Sequence, residues 1–428
     1  MNEFFEEEKS RNLMLLLQAK FLKIFKLNVS KHEEHHELQR YFELFEWKVL
    51  IYDSHAKNVI SSLFNVGNLR SYNVTLFLDL ETKRDTIHNV AAIYLIKPCK
   101  ESIDRVIEDL NGKLYDYFCI NFISVCPQHL LEHLAIECGR YNNQERVIQV
   151  YEHYLNYFTV TPTLFTFSLP NAYLSLYRNC EIEENMNKHL NTIAEGIFMF
   201  MRSNSYLPYI RIQRKDPLAE RIVKKLATLF ANSEKFEEEK YDLSNSIRPL
   251  LILLDRSIDL HTMLHHPWKY IGLIHDIFGM KNGKVTGRSS KGKKMEYELD
   301  FLNDTFLQSH ALAEYPETAG DVSSEFSKWT KEYEKMIGKR PEDSTGEMSS
   351  KLNDALDRVP EMTEKKIRLE THTNLTTDLY EHVRKRKLDQ LNDLELQIMT
   401  SKNISSKVLL NQTHRPETNL YSYYKVSQ

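Results

Sequence analysis

Four short apolar runs separated by helical stretches, all between Trp47 and Cys138, constrain this chain more than any other feature. The runs are Trp47-Lys-Val-Leu-Ile-Tyr-Asp53, Val74-Thr-Leu-Phe-Leu-Asp-Leu80, Ala91-Ala-Ile-Tyr-Leu-Ile-Lys-Pro98 and Tyr117-Phe-Cys-Ile-Asn-Phe-Ile123. Each is too short for a helix and rich in β-branched or aromatic residues, and apolar side chains at successive positions leave no face for water. Strands buried on both faces belong to parallel sheets covered by helices. The spacing therefore predicts a doubly wound α/β domain with helices near 54–70, 100–114 and 127–138.

After residue 159 the alternation resumes. Strands are predicted over Leu164–Leu169, Leu207–Gln213 and Pro249–Leu254, with helices near 182–203 and 217–236, which together make a second α/β unit. Beyond Asp255 the pattern becomes long helical runs, above all 361–398, where Leu375, Leu379 and Val383 recur every four residues. Two polar loops interrupt this region: Lys281–Lys294, with six basic residues, and Gly338–Ser350. The expected division is 1–158, 159–256 and 257–428, and 428 residues suffice for such cores. Near the N-terminus, Leu13, Leu17, Phe21, Ile24 and Phe25 form a helical stripe beside Lys20, Lys23 and Lys26. Such a stripe packs on its own domain or, as a basic amphipathic helix, lies on a membrane; the first is expected.

Composition removes several classes of function. A formal net charge of −4 exerts no global pull on nucleic acid or anionic lipid. The five cysteines, Cys99, Cys119, Cys126, Cys138 and Cys180, are odd in number and form no CxxC pair, so neither a disulfide framework nor a zinc ribbon is expected. The acidic start, Met1-Asn2-Glu3-Phe4-Phe5-Glu6-Glu7-Glu8, is unlike a secretory signal. No apolar run approaches the roughly 20 residues of a membrane span. A cytoplasmic protein with at most peripheral membrane contact is expected.

Candidate chemistry is sparse. His32-Glu33-Glu34-His35-His36 contains HExxH, whose histidines share one helical face in zinc proteases. Its charged surroundings offer no dry cavity, so a solvated surface is expected and no metal site. His261, His265, His266 and His275 match no common metal spacing and read as structural. Doubly wound sheets bind nucleotides at strand ends, but the first strand ends at Asp53-Ser-His-Ala-Lys-Asn58 without a glycine. The chain has only 12 glycines and neither GxGxxG nor GxxxxGK[ST], so a nucleotide-binding enzyme is disfavoured and no catalytic residue or cofactor is expected. Leu131, Leu134 and Ala135 on one helix, then Val147 and Val150 on the next, have i, i+3 or i+4 spacing. They could frame a small apolar groove for a partner, although alone such a set reads as core.

Arg248-Pro-Leu-Leu-Ile-Leu-Leu-Asp-Arg-Ser-Ile-Asp-Leu260, with Leu264-His-His-Pro-Trp-Lys-Tyr270 and Ile274-His-Asp276, resembles the signature of the Sec/Munc (SM) family of syntaxin-binding proteins. Its wording is nearest the Sly, or ER–Golgi, branch. Trp47–Asp53, Tyr297-Glu-Leu-Asp300 and Thr371-His-Thr-Asn374 with Glu381–Asp389 agree in order, and the likeness runs from about Arg11 to Met399.

The resemblance implies an arch-shaped, non-enzymatic protein with a domain for a syntaxin N-terminal peptide (1–158), an incomplete second α/β domain (159–256) and a mainly helical, SNARE-facing domain (257–428). It implies a monomer that binds a Golgi-type syntaxin (Qa-SNARE) and SNARE complexes, meets membranes only through them, binds no nucleic acid, and promotes SNARE assembly and vesicle fusion in ER–Golgi transport. Service in an endosomal or exocytic branch is the alternative. The peptide pocket is implied at Leu131, Leu134, Ala135, Val147 and Val150, where burial of one Phe ring would supply about 1.5–3 kcal/mol. The SNARE-facing helical hairpin is implied to turn at Pro360 and to expose His372 and Thr373; a packing role is the other reading for His372. The family's pattern runs on beyond Gln428, so the second sheet is expected to leave apolar edges exposed. Gly338–Ser350 is shorter than the branch's usual lid, so lid-type regulation is not expected.

Overall fold

The computed structural model describes residues 12–28, 47–64, 66–177, 183–232, 248–259, 265–281, 283–288, 292–337 and 348–400. The HExxH segment, His261, Cys180 and most of Gly338–Ser350 lie outside them. The chain forms two compact units, residues 1–258 and 259–428.

The first unit is built on the four apolar runs. They become β1 (Lys48–Tyr52), β2 (Val74–Asp79), β3 (Ala91–Ile96) and β4 (Tyr117–Phe122), joined by a fifth strand, β5 (Val147–Glu152). All five are parallel in the order β2-β1-β3-β4-β5, the doubly wound arrangement, with β2 and β5 at the edges. Between them run α2 (Ser54–Ser61), α3 (Val66–Ser71), α4 (Lys100–Asn111) and α5 (Gln128–Arg140). The six residues of β3 are all buried, as a central strand covered on both faces requires. One face carries Tyr94, Phe118, Ile120 and Phe122, onto which Ile103, Val106 and Leu110 of α4 and Leu130, Leu134 and Cys138 of α5 pack. Within that core Arg84, from the β2–β3 loop, donates to Asp109 Oδ2 at 2.7 Å, and Tyr94 Oη donates to the same oxygen at 2.7 Å.

The N-terminal stripe forms α1 (Leu13–Phe25), capped by Asn12, whose Oδ1 accepts from Met14 N at 3.0 Å and Leu15 N at 3.2 Å. Leu17, Phe21, Ile24 and Phe25 are fully buried. Its apolar face is thus spent on its own domain, where Phe21 and Phe25 meet Phe64 edge-on.

Residues 158–253 depart from expectation. The predicted strand over Leu164–Leu169 shrinks to β7 (Leu164–Thr166), which pairs antiparallel with β6 (Phe158–Thr161) as a hairpin. Two helices follow, α6 (Ala172–Tyr177) and α7 (Glu183–Ser203), and then β8 (Tyr209–Ile212), α8 (Pro217–Asn232) and β9 (Leu250–Leu253). Among the described residues the second α/β layer is the parallel pair β8–β9. Ile210, Ile212, Leu251 and Leu253 on one face are half-buried, whereas Tyr209, Leu250 and Ile252 on the other are more than half exposed, at 58%, 51% and 56%.

The second unit is mainly helical. It comprises α9 (Tyr270–Phe278), the antiparallel hairpin β10 (Lys284–Arg288) and β11 (Lys294–Glu298), then α10 (Thr305–His310), α11 (Tyr315–Ile337), α12 (Met348–Arg386) and α13 (Leu388–Thr400). The basic segment Lys281–Lys294, expected as a loop, is therefore largely a β-hairpin. Alternation decides this: Val285 and Gly287 face inward while Lys284, Thr286 and Arg288 face out. Gly287 lies against α12, where a Cβ would meet Leu375 at 3.3 Å and Asp378 at 3.4 Å.

Candidate partner-binding site

The five residues predicted to frame a groove fall on two elements of different kinds. Leu131, Leu134 and Ala135 lie on α5 as expected, but Val147 and Val150 lie on the edge strand β5, not on a second helix. The three-residue spacing misled because a strand should send residues three apart to opposite faces. Here the β4–β5 register shifts between Phe118 and Cys119: Val147 pairs with Phe118, Gln149 with Cys119 and Val150 with Ile120. Ile148 is the extra residue of that irregularity. Val147 and Val150 therefore leave the sheet on the same face as Phe118 and Ile120, the face α5 covers.

Exposure grades the five from floor to rim. Leu134 is 4% exposed and belongs to the core, while Leu131 and Val147 pack against that core half-buried. Ala135 is exposed, and Val150 is 41% exposed. Three of the five thus serve their own domain's interior wholly or partly, and two reach solvent. Ile136, 59% exposed, presents further apolar surface on α5, on the side away from the core residues Leu130, Leu134 and Cys138.

The framework around this notch is pinned. At the turn after α5, Asn142 takes a left-handed φ of 53° and Asn143 Nδ2 donates to Asn111 Oδ1 at 3.0 Å. Arg146 donates to the Tyr115 carbonyl at 2.9 Å, fixing the start of β5. At the other end Glu152 Oε1 accepts from Cys126 N at 2.7 Å, just ahead of α5. On α5, Arg140 pairs with Glu137 at 2.6 Å and His133 reaches Asp104 of α4 at 3.0 Å, while Glu132 accepts from Gln128 Nε2 at 2.9 Å. The surface beside β5 is thus apolar at Ala135 and Val150 and borders an edge strand.

The β1/β3 switch point, where a doubly wound sheet would hold a phosphate, is filled from within. Asp53 Oδ1 accepts from Ala56 N at 2.7 Å at the start of α2, and Oδ2 accepts from Lys97 N at 2.6 Å. A carboxylate occupies the place where an anion would be bound. Among the described residues no group of three or more His, Cys, Asp or Glu could hold a metal ion. Cys99, Cys119, Cys126 and Cys138 are free thiols, and burial pushes that of Cys126 up to about 11.

In the second unit, the predicted hairpin residues separate. Pro360 does not mark a turn: α12 runs through it from Met348 to Arg386. Pro360 is exposed, so water can serve the carbonyl deprived of its donor. Lys365 of α12 approaches Glu332 of α11 at 3.9 Å, and Trp329 Nε1 donates to the Met362 carbonyl at 3.0 Å. With Val322 and Leu369 in the same core, α11 and α12 pack side by side.

Thr373 is exposed as expected, but His372 is fully buried. It lies on the stripe Leu369, His372, Leu375, Leu379, all turned inward. Its Nδ1 is 2.9 Å from Tyr270 Oη and its Nε2 2.9 Å from Asp304 Oδ2. Burial pushes the Asp304 carboxyl up, but hydrogen bonding and charge from His372 outweigh it and leave it below the usual range. This satisfied buried network gives His372 a packing role. Three histidines of the predicted cluster are held structurally: His265 and His266 approach Glu395 of α13 at 3.6 and 2.6 Å, and His275 Nδ1 accepts from Met280 N at 3.2 Å.

Comparison with known proteins gives a consistent picture. The model of the Sec1 family matches residues 48–423. Sec1 family domain-containing protein 1 of Rattus norvegicus is 32% identical over 413 residues, covering 87% of this chain and 63% of the relative. Protein SLY1 of Saccharomyces cerevisiae is 29% identical over 372 residues, covering 82% and 56%. The chain thus spans less than two thirds of the length of these curated relatives. Among solved structures, Sly1p in complex with an N-terminal peptide of Sed5p superposes with a TM-score of 0.75 at 29% identity, over 89% of this chain and 62% of that one. The SM protein Vps45 in complex with the Qa SNARE Tlg2 superposes at 0.76 over 94% and 66%, and at 21% identity attests the fold alone.

Proposed function

This chain belongs to the Sec1 family, and from that premise we propose that it is a non-enzymatic, syntaxin-binding protein that promotes SNARE assembly and vesicle fusion in ER–Golgi transport. The observation that carries the proposal is the graded apolar surface that α5 and β5 share, which we read as a notch. Its half-open apolar residues, Leu131 and Val147, continue to solvent through Ala135 and Val150 on a framework pinned at both ends of β5. A preformed notch of this kind suits a short peptide, because little order has to be created on binding. An aromatic side chain entering it would gain about 1.5–3 kcal/mol from apolar burial.

The similarity to a Sly1p crystallised with a Sed5p N-terminal peptide supports a Golgi-type syntaxin as the partner. The carboxylate of Asp53 at the switch point supports a scaffold without nucleotide chemistry. In this proposal residues 1–158 receive the peptide, 159–256 form part of a second α/β domain, and 257–428 face the SNAREs, with Thr373 on the exposed side of α12. The protein works in the cytoplasm as a monomer, peripheral to ER and Golgi membranes through its SNARE partners. None of its described helices is long and apolar enough to cross a membrane.

Calorimetry with N-terminal peptides of ER–Golgi, endosomal and plasma-membrane syntaxins tests the proposal. Binding is expected for the ER–Golgi class and is expected to be lost in Val150→Asp and Ala135→Asp, whose side chains are exposed, so the fold survives. Leu134→Asp is unsuitable because it places a charge in the core. Binding of another class alone would reassign the branch, and binding of none would remove the proposal.

A further inference from the structure

We propose that the second unit holds a site for a phosphorylated polyol, in a cavity of about 470 Å³ walled by α10, α11 and α12. The volume falls within the range of small-molecule sites and exceeds what a lone phosphate fills. Its floor is apolar: Phe306 and Leu369 are 8% and 3% exposed and belong to the local core. Its wall carries three cations, Lys328 from α11 and Lys365 and Arg368 from α12, together with the hydroxyls of Thr305, Ser309 and Ser324. Hydroxyl partners and cations above an apolar floor match a small molecule bearing both hydroxyl and phosphate groups.

Charge disposition favours an anion although acids also line the wall. Asp304 is committed to His372 and to Leu307 N, at 2.9 and 3.0 Å. Asp321 faces His310 Nε2 at 3.1 Å. The cations, by contrast, sit in partly or fully exposed pairs: Lys328 meets Glu325 at 2.7 Å with the lysine side chain 63% exposed, Lys365 reaches Glu332 only at 3.9 Å, and Arg368 meets Glu364 at 3.3 Å. Exposed pairs of this sort contribute little and yield readily to a multivalent anion. Glu325, which also lines the cavity, is matched by Lys328, whereas Glu332 and Glu364 lie outside the lining, so Lys365 and Arg368 are the cations that no acid within the wall pairs.

A hydrolytic reading of Ser309, His310 and Asp321, which also line the cavity, fails on geometry. Ser309 Oγ is 2.8 Å from His310 Nδ1, but it is also 3.0 and 3.1 Å from the carbonyls of Thr305 and Phe306. His310 Nδ1 is itself 3.0 Å from the Phe306 carbonyl. The hydroxyl is held by its own helix rather than aimed at a substrate.

The test is calorimetry of the whole chain with inositol trisphosphate and inositol hexakisphosphate, alongside flotation on phosphatidylcholine vesicles with and without a phosphoinositide. Saturable binding of the soluble inositol phosphates is expected, weakened at least tenfold in Lys365→Gln and Arg368→Gln. Arg368 also donates to the Asn303 carbonyl at 2.5 Å, so Lys365→Gln is the variant whose loss cannot be blamed on folding. Flotation on the phosphoinositide vesicles in addition would identify a lipid headgroup as the source, and its absence a free inositol phosphate. No binding of either kind overturns the site. So does binding that survives Lys365→Gln and disappears in Lys293→Glu/Lys294→Glu, which would move it to the basic β10–β11 hairpin.

Discussion

Replacing Arg84 by methionine tests the energetics of the first unit's core most sharply. The Arg84 side chain is 3% exposed and that of Asp109 7%, with the two joined at 2.7 Å. The same guanidinium also donates to the carbonyls of Asp79 and Leu80, at 2.7 and 2.5 Å, and so ties the β2–β3 loop to α4. Burial dominates at Asp109 and pushes its carboxyl up despite the hydrogen bonds from Tyr94 and Arg84 and the arginine's charge. Arg84→Met leaves that carboxylate with Tyr94 Oη and takes a donor from the Leu80 carbonyl, while the Asp79 carbonyl keeps Thr82 Oγ1 at 2.9 Å. Removing one partner of a buried ion pair costs about 3–5 kcal/mol.

The cost should depend on pH. Without the arginine the carboxyl titrates still higher above its unfolded value, so the folded state binds the extra proton and the penalty grows as pH rises through the new folded value. Asp109→Asn alone strands the guanidinium and should cost a similar amount. The double variant Arg84→Met/Asp109→Asn should cost about 2–3 kcal/mol less than the sum of the two. Native-state hydrogen exchange of amides in β3 and α4 measures this directly, with a 1.4 kcal/mol loss appearing as tenfold faster exchange. Single variants that each lose under about 1 kcal/mol, or losses that add, would refute the reasoning.

Other perturbations have equally definite outcomes. Burial holds His153 down to about 4, so the folded state refuses a proton that the unfolded chain accepts near 6.5; stability should fall by about 3 kcal/mol as pH drops from 6.5 to 4, and His153→Gln should flatten that dependence in acid-unfolding curves. Lys20, lowered to about 7 by burial and by Lys23, donates to Asn204 Oδ1 at 2.7 Å, so stability should rise with pH between about 7 and 10.5, and less so in Lys20→Met. Pro360→Ala restores a missing donor at an exposed helical position and should slow amide exchange around residue 360, gaining up to about 3 kcal/mol locally. His372→Leu removes the partner of Asp304 and should cost about 2–4 kcal/mol in the second unit's unfolding while leaving peptide affinity at the notch unchanged.

The first sheet was legible because its strands are buried on both faces and so are nearly continuous in apolar residues. β5 was not, since an edge strand that exposes Val150 and Tyr151 carries no such run. Its bulge places Val147 and Val150 on one face at a spacing that imitates a helix, although both lie on a strand. Position 372 reads as polar in sequence, and only the packing of α12 on α9 and α10 turns it inward to Tyr270 and Asp304. Pro360 reads as a breaker, and its tolerance depends on a long helix anchored by Leu369, Leu375 and Leu379, which no local rule reveals. The basic segment 281–294 read as a loop because its charges hide an alternation that shows only once Val285 and Tyr297 are seen to be buried.

The central claim, that an aromatic side chain of a syntaxin peptide seats between α5 and β5, is tested most directly by photocrosslinking. A Golgi-syntaxin N-terminal peptide carrying benzoylphenylalanine in place of its aromatic residue should attach to residues 131–136 or 147–150, and an unlabelled peptide should compete. Attachment confined to residues 259–428, or indifferent to competitor, would contradict the account.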